Sequence, residues 1–450
     1  MRVMKWSAIA LAVTAGMTQL ASAAAFVTDQ ADAKGFVEDT TLNLLLRSYY
    51  FNRDNKNDSH DSIDWTNGIK ANLSSGFTQG IVGFGVDAFG YLAVRTDGGD
   101  GTTGSNNMAV GTKSNGDPKA QDSMGKAGAA LKVRISKTML EIGQQQPTTS
   151  PVFAIGGSRI LPQTATGISL QSSEIKGLDL EAGHFTSASS ESQMNADGRL
   201  TTAYALNTID AKSMDYVGGK YAITDSLTAS LYGGKLEDVW NQYYVNLNYT
   251  LPLADTQSLA FDFNYYNTKD TGKALAGDIT NNAFSLSAAY SFLTAHTVTL
   301  AFQKINGNTP FDYVGVGDNG RGADSIFLAN SIQYSDFNGP GEKSAQARYD
   351  INMASFGVPG LTFMTRYIYG WDIDNTKINP DNPAYGGYAN AATDAKHHET
   401  NLEAKYVVQT GPAKNLSFRI RQAWHTADAE QLDGDHKEFR LIVDYPISIL

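Results

Sequence analysis

Apolar and polar residues alternate one by one through much of this chain. In Leu416-Ser417-Phe418-Arg419-Ile420-Arg421 the leucine, phenylalanine and isoleucine fall on one side, the serine and two arginines on the other. Phe439, Leu441, Val443 and Tyr445 repeat the spacing, as do Leu131, Val133 and Ile135 against Lys132, Arg134 and Ser136. Ala345-Gln346-Ala347-Arg348-Tyr349-Asp350-Ile351 again carries its polar residues on one side. Successive side chains of a strand point to opposite faces, so this period of two predicts two-faced β-strands.

The pattern places strands near 41–53, 65–77, 80–96, 128–136, 138–144, 167–173, 178–186, 213–223 and 226–235. It continues with 239–251, 256–267, 282–292, 295–305, 343–353, 359–370, 398–409, 414–426 and 434–448. That makes about 18 strands, an even number, as bacterial membrane barrels have. Connections alternate in length. Ser136-Lys137, Thr224-Asp225 and Thr294-Ala295 sit in short turns, whereas 97–127, 187–212, 306–342 and 371–397 are long.

A soluble β-sandwich would alternate too, burying its apolar face between sheets. Two features favour an all-β, transmembrane antiparallel barrel. Aromatics collect at strand ends, in Tyr49-Tyr50-Phe51, in Trp240 with Tyr243-Tyr244, and in Tyr265-Tyr266, where they suit girdles at the two membrane interfaces. Arginines stand mid-strand on the polar faces, where they suit a wet lumen. A barrel of this size encloses an aqueous channel. Strands begin almost at once after the leader, leaving no globular domain to plug it, so transport is expected to be passive.

The leader is a signal-peptide pattern. Arg2 and Lys5 precede an apolar stretch from Ala8 to Leu20, and Ala21-Ser22-Ala23 offers a small-residue cleavage site. The apolar run is shorter than the ~20 residues a membrane helix needs. Residues 1–23 are therefore expected to be removed, leaving 24–450 as the pore domain in the outer membrane of a Gram-negative cell. Losing Arg2 and Lys5 takes the net charge from −11 to −13. The 450 residues include no cysteine, so neither disulfides nor thiolate metal sites are available.

Two loops and one face carry candidate chemistry. Residues 144–166 include Pro147, Pro151-Val152-Phe153-Ala154-Ile155-Gly156-Gly157 and Ile160-Leu161-Pro162. Exposed loop tips are usually small and polar, so this segment is expected to fold inward and hold Arg159 at a constriction. Arg419, Arg421 and Arg440 lie on the polar faces of the last two strands, Lys405 on the strand before, Arg348 and Arg366 further round, and Arg47 and Arg53 on the first strand. First and last strands meet when a barrel closes, which gathers these cations on one side of the lumen. Such a stripe attracts carboxylates and hands them from site to site. The alternative use is bracing, with the arginines paired to Glu403, Asp350 and Asp444. The loop 306–342 supplies opposite charge in Asp312, Asp318, Asp324 and Asp336, with Tyr313 and Tyr334. Acid and phenol facing the basic stripe would favour zwitterions and basic amino acids.

Several blocks carry a family resemblance. They include Gly35-Phe36-Val37-Glu38-Asp39, Leu44 to Asp54, Leu161-Pro162-Gln163-Thr164-Ala165-Thr166-Gly167, Gly177 to Phe185 and Tyr334 to Ser344. Over essentially the whole mature length the chain resembles the OprD family of outer-membrane carboxylate channels, nearest the branch that takes up basic amino acids and small peptides and admits carbapenems. The resemblance implies an 18-stranded barrel with a narrow waist. It implies a basic ladder of Arg53, Arg159, Lys405, Arg419, Arg421 and Arg440, opposite a pocket of Tyr204, Tyr313, Ser331, Tyr334 and Asp336. One departure stands at Ser62, ahead of Asp64-Trp65, where that branch has a further arginine; this bears on one end of the ladder. The last residue, Leu450, is not the terminal aromatic common in such barrels, although Tyr445 lies nearby.

Rival functions are an outer-membrane hydrolase and a structural or adhesin barrel without solute flux. The histidines are His60, His184, His296, His397, His398, His425 and His436, mostly near turns. His184 beside Glu181 is the one near a strand interior, and His397-His398 lacks the spacing of zinc ligands. The expectation is a non-enzymatic pore without cofactor or metal. Its partners are small carboxylate or zwitterionic solutes and outer-membrane lipid, not nucleic acid, and weak homo-oligomerisation is compatible with such a wall.

Overall fold

A computed structural model describes residues 25–450 apart from 57–59, 208 and 432. The expected leader, 1–23, lies outside the described residues. Eighteen strands form one antiparallel sheet. The first nine are β1 (Thr41–Asn55), β2 (Ser62–Ser74), β3 (Val82–Gly98), β4 (Ser123–Ile135), β5 (Thr138–Gln145), β6 (Thr164–Ile175), β7 (Leu178–Ser189), β8 (Met214–Ala222) and β9 (Leu227–Leu236). The second nine are β10 (Trp240–Ala254), β11 (Gln257–Asp270), β12 (Thr280–Phe292), β13 (His296–Gly307), β14 (Lys343–Asn352), β15 (Leu361–Ile373), β16 (Ala395–Val407), β17 (Ser417–Ala427) and β18 (His436–Ser448).

Each strand pairs with its sequence neighbour, and β18 pairs back onto β1 from Asn43↔Ser448 to Asn55↔His436. Closure gives every strand two partners and leaves no open edge, the condition for a sheet inside a bilayer. It also sets Arg47 beside Asp444, Phe51 beside Arg440 and Arg53 beside Glu438. All 18 expected strands are present, with boundaries displaced by a few residues.

The period of two becomes two surfaces. Leu131 and Ile135 are exposed while Lys132 and Arg134 between them are buried. Phe418 and Ile420 are exposed while Ala423 and His425, on the arginine side of β17, are buried. Leu92, Val217, Leu231 and Leu300 are likewise exposed. In water such a surface would be untenable; in lipid it is the required one. Among the described residues no helix is long and apolar enough to cross a membrane.

The largest buried apolar cluster lies inside the cylinder, not between sheets. Val152, Phe153 and Ile155 from one loop and Phe311, Val314, Val316 and Leu328 from another pack with Phe185, Tyr216, Tyr244 and Tyr266 of the wall. Leu200–Thr202, Val314–Val316 and Arg321–Gly322 form a small three-stranded sheet there. A hairpin, Val110–Thr112 with Pro118–Ala120, forms within the loop after β3. Both are additions to the expected plain loops. The long connections 99–122, 146–163, 190–213, 308–342 and 374–394 all leave the same end of the barrel, opposite short turns such as 136–137, 176–177 and 255–256.

Candidate functional site

The loop between β5 and β6 folds inward, as its apolar content predicts. Phe153 packs on Phe185 with ring centroids 5.0 Å apart, and the Tyr266 hydroxyl donates to the Pro151 carbonyl at 3.1 Å. Ile160 and Leu161 are wholly buried. Gly68 on β2 makes room, because a Cβ there would stand 2.9 Å from Ile160 Cγ1. Arg47 ties the loop to the wall. Its guanidinium binds the Asp444 carboxylate through two nitrogens at 2.7 and 2.9 Å and donates to the Arg159 carbonyl at 2.8 Å. Arg47 therefore braces the constriction.

The loop after β3 positions the Arg159 side chain. Asp64 accepts from Ser105 and from Asn107 (2.9 Å). Asn107 accepts from the Ile160 amide at 3.1 Å, and the Ser105 carbonyl accepts from Arg159 Nε at 2.7 Å. Arg159 Cζ sits 5.4 Å from the centroid of Phe51. No carboxylate lies within ion-pairing distance of it among the described residues. Burial, reinforced by the nearby Arg440 charge, lowers its pKa to about 10, still protonated at neutral pH.

Most of the remaining arginines on this wall have a carboxylate partner. Glu438, almost fully buried, binds Arg53 at 2.6 Å and Arg440 at 2.5 Å. Glu403 binds Arg419 at 2.7 Å and approaches Arg421 Nε at 3.2 Å. Arg348 pairs with Asp350 at 2.7 Å, and Arg366 donates to Asn401 at 2.9 Å. Bracing and a basic surface thus coexist on one wall.

Across the lumen, three expected pocket residues converge on one carboxylate. Asp336 accepts from Tyr204 (2.6 Å), Ser331 (2.6 Å) and Tyr313 (3.0 Å). Burial raises its pKa, opposed by those three donors. Burial and the adjacent Asp336 charge push both phenols well above their usual range, so they remain donors. Asp312 is buried scaffold and not exposed loop acid: it accepts from the amides of Ala203, Tyr204 and Tyr313 and from the Tyr385 hydroxyl. Burial lifts its pKa to about 6.

Between the walls lies a cavity of about 400 Å³. Arg53, Arg159, Arg421 and Arg440 line it, together with Tyr204, Tyr313, Ser331, Tyr334 and Asp336. Nine of the eleven expected site residues therefore meet in one space. Lys405 and Arg419 do not line it; they are cross-strand partners nearer the short-turn end of the barrel. Tyr334 lies on the basic side and not with Asp336. Arg53 stacks over its ring at 4.9 Å, and its hydroxyl donates to the Asp433 carbonyl at 2.8 Å. Ser62 lies outside the cavity lining, buried under the loop after β3 and donating to the Thr103 carbonyl at 3.0 Å.

Sequence reasoning missed Glu191, Arg321 and Asp433, which also line the cavity, and Glu438, which organises its arginines. Glu438 shares the polar face of β18 with Arg440 and was legible by parity. The other three sit in loops without a period, where nothing in the order of residues marks them.

A closed even-numbered barrel with an apolar outside and a charged, cavity-bearing conduit is the architecture of a bacterial outer-membrane porin. A family model described as outer membrane porin, OprD family, matches residues 34–449, and the chain belongs to that family. Porin D of Pseudomonas aeruginosa is 64% identical over 452 residues, covering 100% of both chains. The porin-like protein GalP of Pseudomonas putida is 32% identical, covering 94% of this chain and 95% of its own. The crystal structure of P. aeruginosa OprD matches with a TM-score of 0.82 and 61% identity, over 95% of this chain and 100% of that one. That of P. aeruginosa OccD3 (OpdP) gives 0.82 and 35%, over 94% and 95%. The chain is thus an outer-membrane porin, and the hydrolase and adhesin alternatives find no support among these relatives.

Proposed function

We propose that this porin passes basic amino acids and small peptides, and with them carbapenem-type antibiotics, by gripping a carboxylate and a cationic group on opposite sides of its waist. The carrying observation is the 400 Å³ cavity with four arginines facing a tyrosine-held Asp336. Arg159 and Arg421 receive the carboxylate. Arg159 has no acidic partner among the described residues, and Arg421 has only the Glu403 that it shares with Arg419. Asp336 receives the cationic group, with Tyr204, Tyr313 and Ser331 holding its oxygens in place. Arg419 and Lys405 take the carboxylate onward toward the short-turn end. No step requires catalysis. His184 does contact Asp215 at 2.5 Å, but Ser213 donates to that aspartate and not to the imidazole, which is not the order of a hydrolytic triad. Residues 1–23 serve as a cleaved export signal.

Reconstituted liposomes test this. Arginine and lysine should enter faster than a neutral solute of equal size. Arg421→Ala should erase most of that preference, and Asp336→Asn should reduce it for cationic solutes while sparing neutral ones. Equal entry rates for charged and neutral solutes in the unaltered protein would overturn the proposal.

A further inference from the structure

Three residues distant in sequence, His397 on β16, His425 on β17 and Asp433 in the connection to β18, bring their ligand atoms within 4.8 Å of one another. Both rings are almost fully buried. Each ring is held from behind, and the aspartate oxygen that faces His397 is itself anchored. His397 Nε2 donates to the Glu342 carboxylate at 2.8 Å, His425 Nδ1 donates to the Gly434 carbonyl at 2.6 Å, and Asp433 Oδ2 accepts from Ser335 at 2.6 Å.

These partners fix the tautomers. A ring nitrogen facing a carboxylate or a carbonyl must carry the hydrogen, so in the neutral rings the other nitrogens bear lone pairs. Those nitrogens, His397 Nδ1 and His425 Nε2, face each other at 2.9 Å, with Asp433 Oδ2 3.7 Å from the former. Two lone pairs so placed repel unless a positive species lies between them. A carboxylate or carbonyl behind each imidazole is the usual support of a metal-binding histidine. Zinc–nitrogen bonds of about 2.0–2.1 Å at a tetrahedral angle put two ligand nitrogens roughly 3.4 Å apart. The rings need separate by only a few tenths of an ångström to reach that spacing.

We propose that His397, His425 and Asp433 form a site for a divalent transition-metal ion of the zinc or cobalt kind in the wall of the conduit. Asp433 also lines the waist cavity, which gives the ion a route in and leaves its remaining coordination position to water or a solute. Binding releases to solvent any proton shared between the two rings. The sequence could not show this site, because its ligands are separated along the chain and neither histidine belongs to a ligand-spaced pair.

The test uses the full barrel without a histidine tag, titrated in detergent with Zn²⁺ and separately with Co²⁺. One ion should bind per chain, and bound Co²⁺ should show the visible absorption of a four- or five-coordinate centre. His425→Gln should weaken binding at least about 100-fold. Glu342→Gln, which removes only the acceptor behind His397, should weaken it about 10- to 100-fold. His398→Gln, on the opposite face of β16, should bind as the unaltered chain does. Absence of stoichiometric binding, or equal affinity in His425→Gln, would overturn the site and leave a shared proton between the rings. Should the histidine variants not fold, X-ray absorption of the zinc-loaded unaltered barrel decides. Two imidazole nitrogens at about 2.0 Å support the site, and an all-oxygen shell refutes it.

Discussion

Enlarging Gly68 should widen the pore without touching a charged residue. Its position on β2 faces inward, and a Cβ there would meet Ile160 Cγ1 at 2.9 Å and the Leu92 carbonyl at 3.4 Å. Ordinary carbon contacts lie near 3.5–4.0 Å, so even alanine forces a displacement of roughly 0.6–1.1 Å. Ile160 is wholly buried and directly follows Arg159, whose guanidinium is pinned to the Ser105 carbonyl. Leucine at position 68 cannot be absorbed by one side chain, so the loop 146–163 must lift. Overpacking of this kind costs about 1–3 kcal/mol, which shifts the balance between seated and lifted loop by about 5- to 150-fold. In planar bilayers Gly68→Leu should show larger and noisier single-channel currents and reduced preference for carboxylates over neutral solutes. Gly90→Leu, where a Cβ meets nothing within 4 Å, is the control and should conduct as the unaltered chain does. A folded Gly68→Leu barrel with unchanged conductance and unchanged carboxylate preference would refute the seating of this loop.

Three other outcomes follow from the same geometry. Arg421→Ala should weaken carboxylate competition against ionic current about tenfold, because a charge-assisted hydrogen bond contributes about 1.5–3 kcal/mol and this wall is partly wet; unchanged competition would remove Arg421 from the solute path. Glu438→Gln should strand Arg53 and Arg440 without their acid and destabilise the barrel by about 3–5 kcal/mol, seen as a lower temperature of heat-induced unfolding; an unchanged unfolding temperature would deny Glu438 that role. Asp312 has a folded pKa of about 6, above its usual 3.8. The folded form therefore holds the proton more tightly, so its stabilisation is complete below pH ~4 and is lost as pH rises through ~6. Amides of residues 311–316 should exchange more slowly at pH 5 than at pH 8 after correction for intrinsic rate, and Asp312→Asn should remove the difference.

The wall of this molecule was readable because most wall residues answer to one local rule; the exceptions are aromatics such as Tyr49, Phe51, Trp240, Tyr244 and Tyr266, which pack inward on the lumen loops and not at the membrane interfaces. Leu131 and Lys132 differ in the solvent they face, and that difference recurs at every second position along long stretches of the wall, as in β4, β13 and β17. The interior obeys no such rule. Leu200–Thr202 pairs with Val314–Val316, across more than a hundred residues, for reasons of shape that adjacent residues do not encode. The inward fold of 146–163 was legible only because Val152, Phe153, Ile155, Ile160 and Leu161 would be untenable in water. Tyr334 lines the expected cavity but from the other side, for the same reason in reverse. It shares a loop with Asp336, yet the turn between them sends its ring to Arg53. Of the two uses open to Arg47, stripe or brace, its partners Asp444 and the Arg159 carbonyl select the brace.

An acidic chain with a basic waist makes physical sense once the acids inside are counted with the arginines. A carboxylate meeting four unopposed guanidinium groups in a partly desolvated cavity would be held too firmly to leave, and conduction needs sites weak enough to release. Glu438 spreads one negative charge over Arg53 and Arg440, and Glu403 does the same for Arg419 and Arg421. With Arg159 added, five guanidinium groups stand against two carboxylates, so this wall presents three net positive charges and not five, Arg159 supplying the least compensated of them. Asp336 applies the same restraint on the other side: three hydroxyl donors satisfy its oxygens before a cationic group arrives, so that group gains only the difference. On this reasoning removing an internal acid is more damaging to flux than removing an arginine. Glu403→Gln should increase the residence time of a bound carboxylate in single-channel recordings while lowering its net passage. Shorter residence with faster passage would show that the internal acids serve the wall alone.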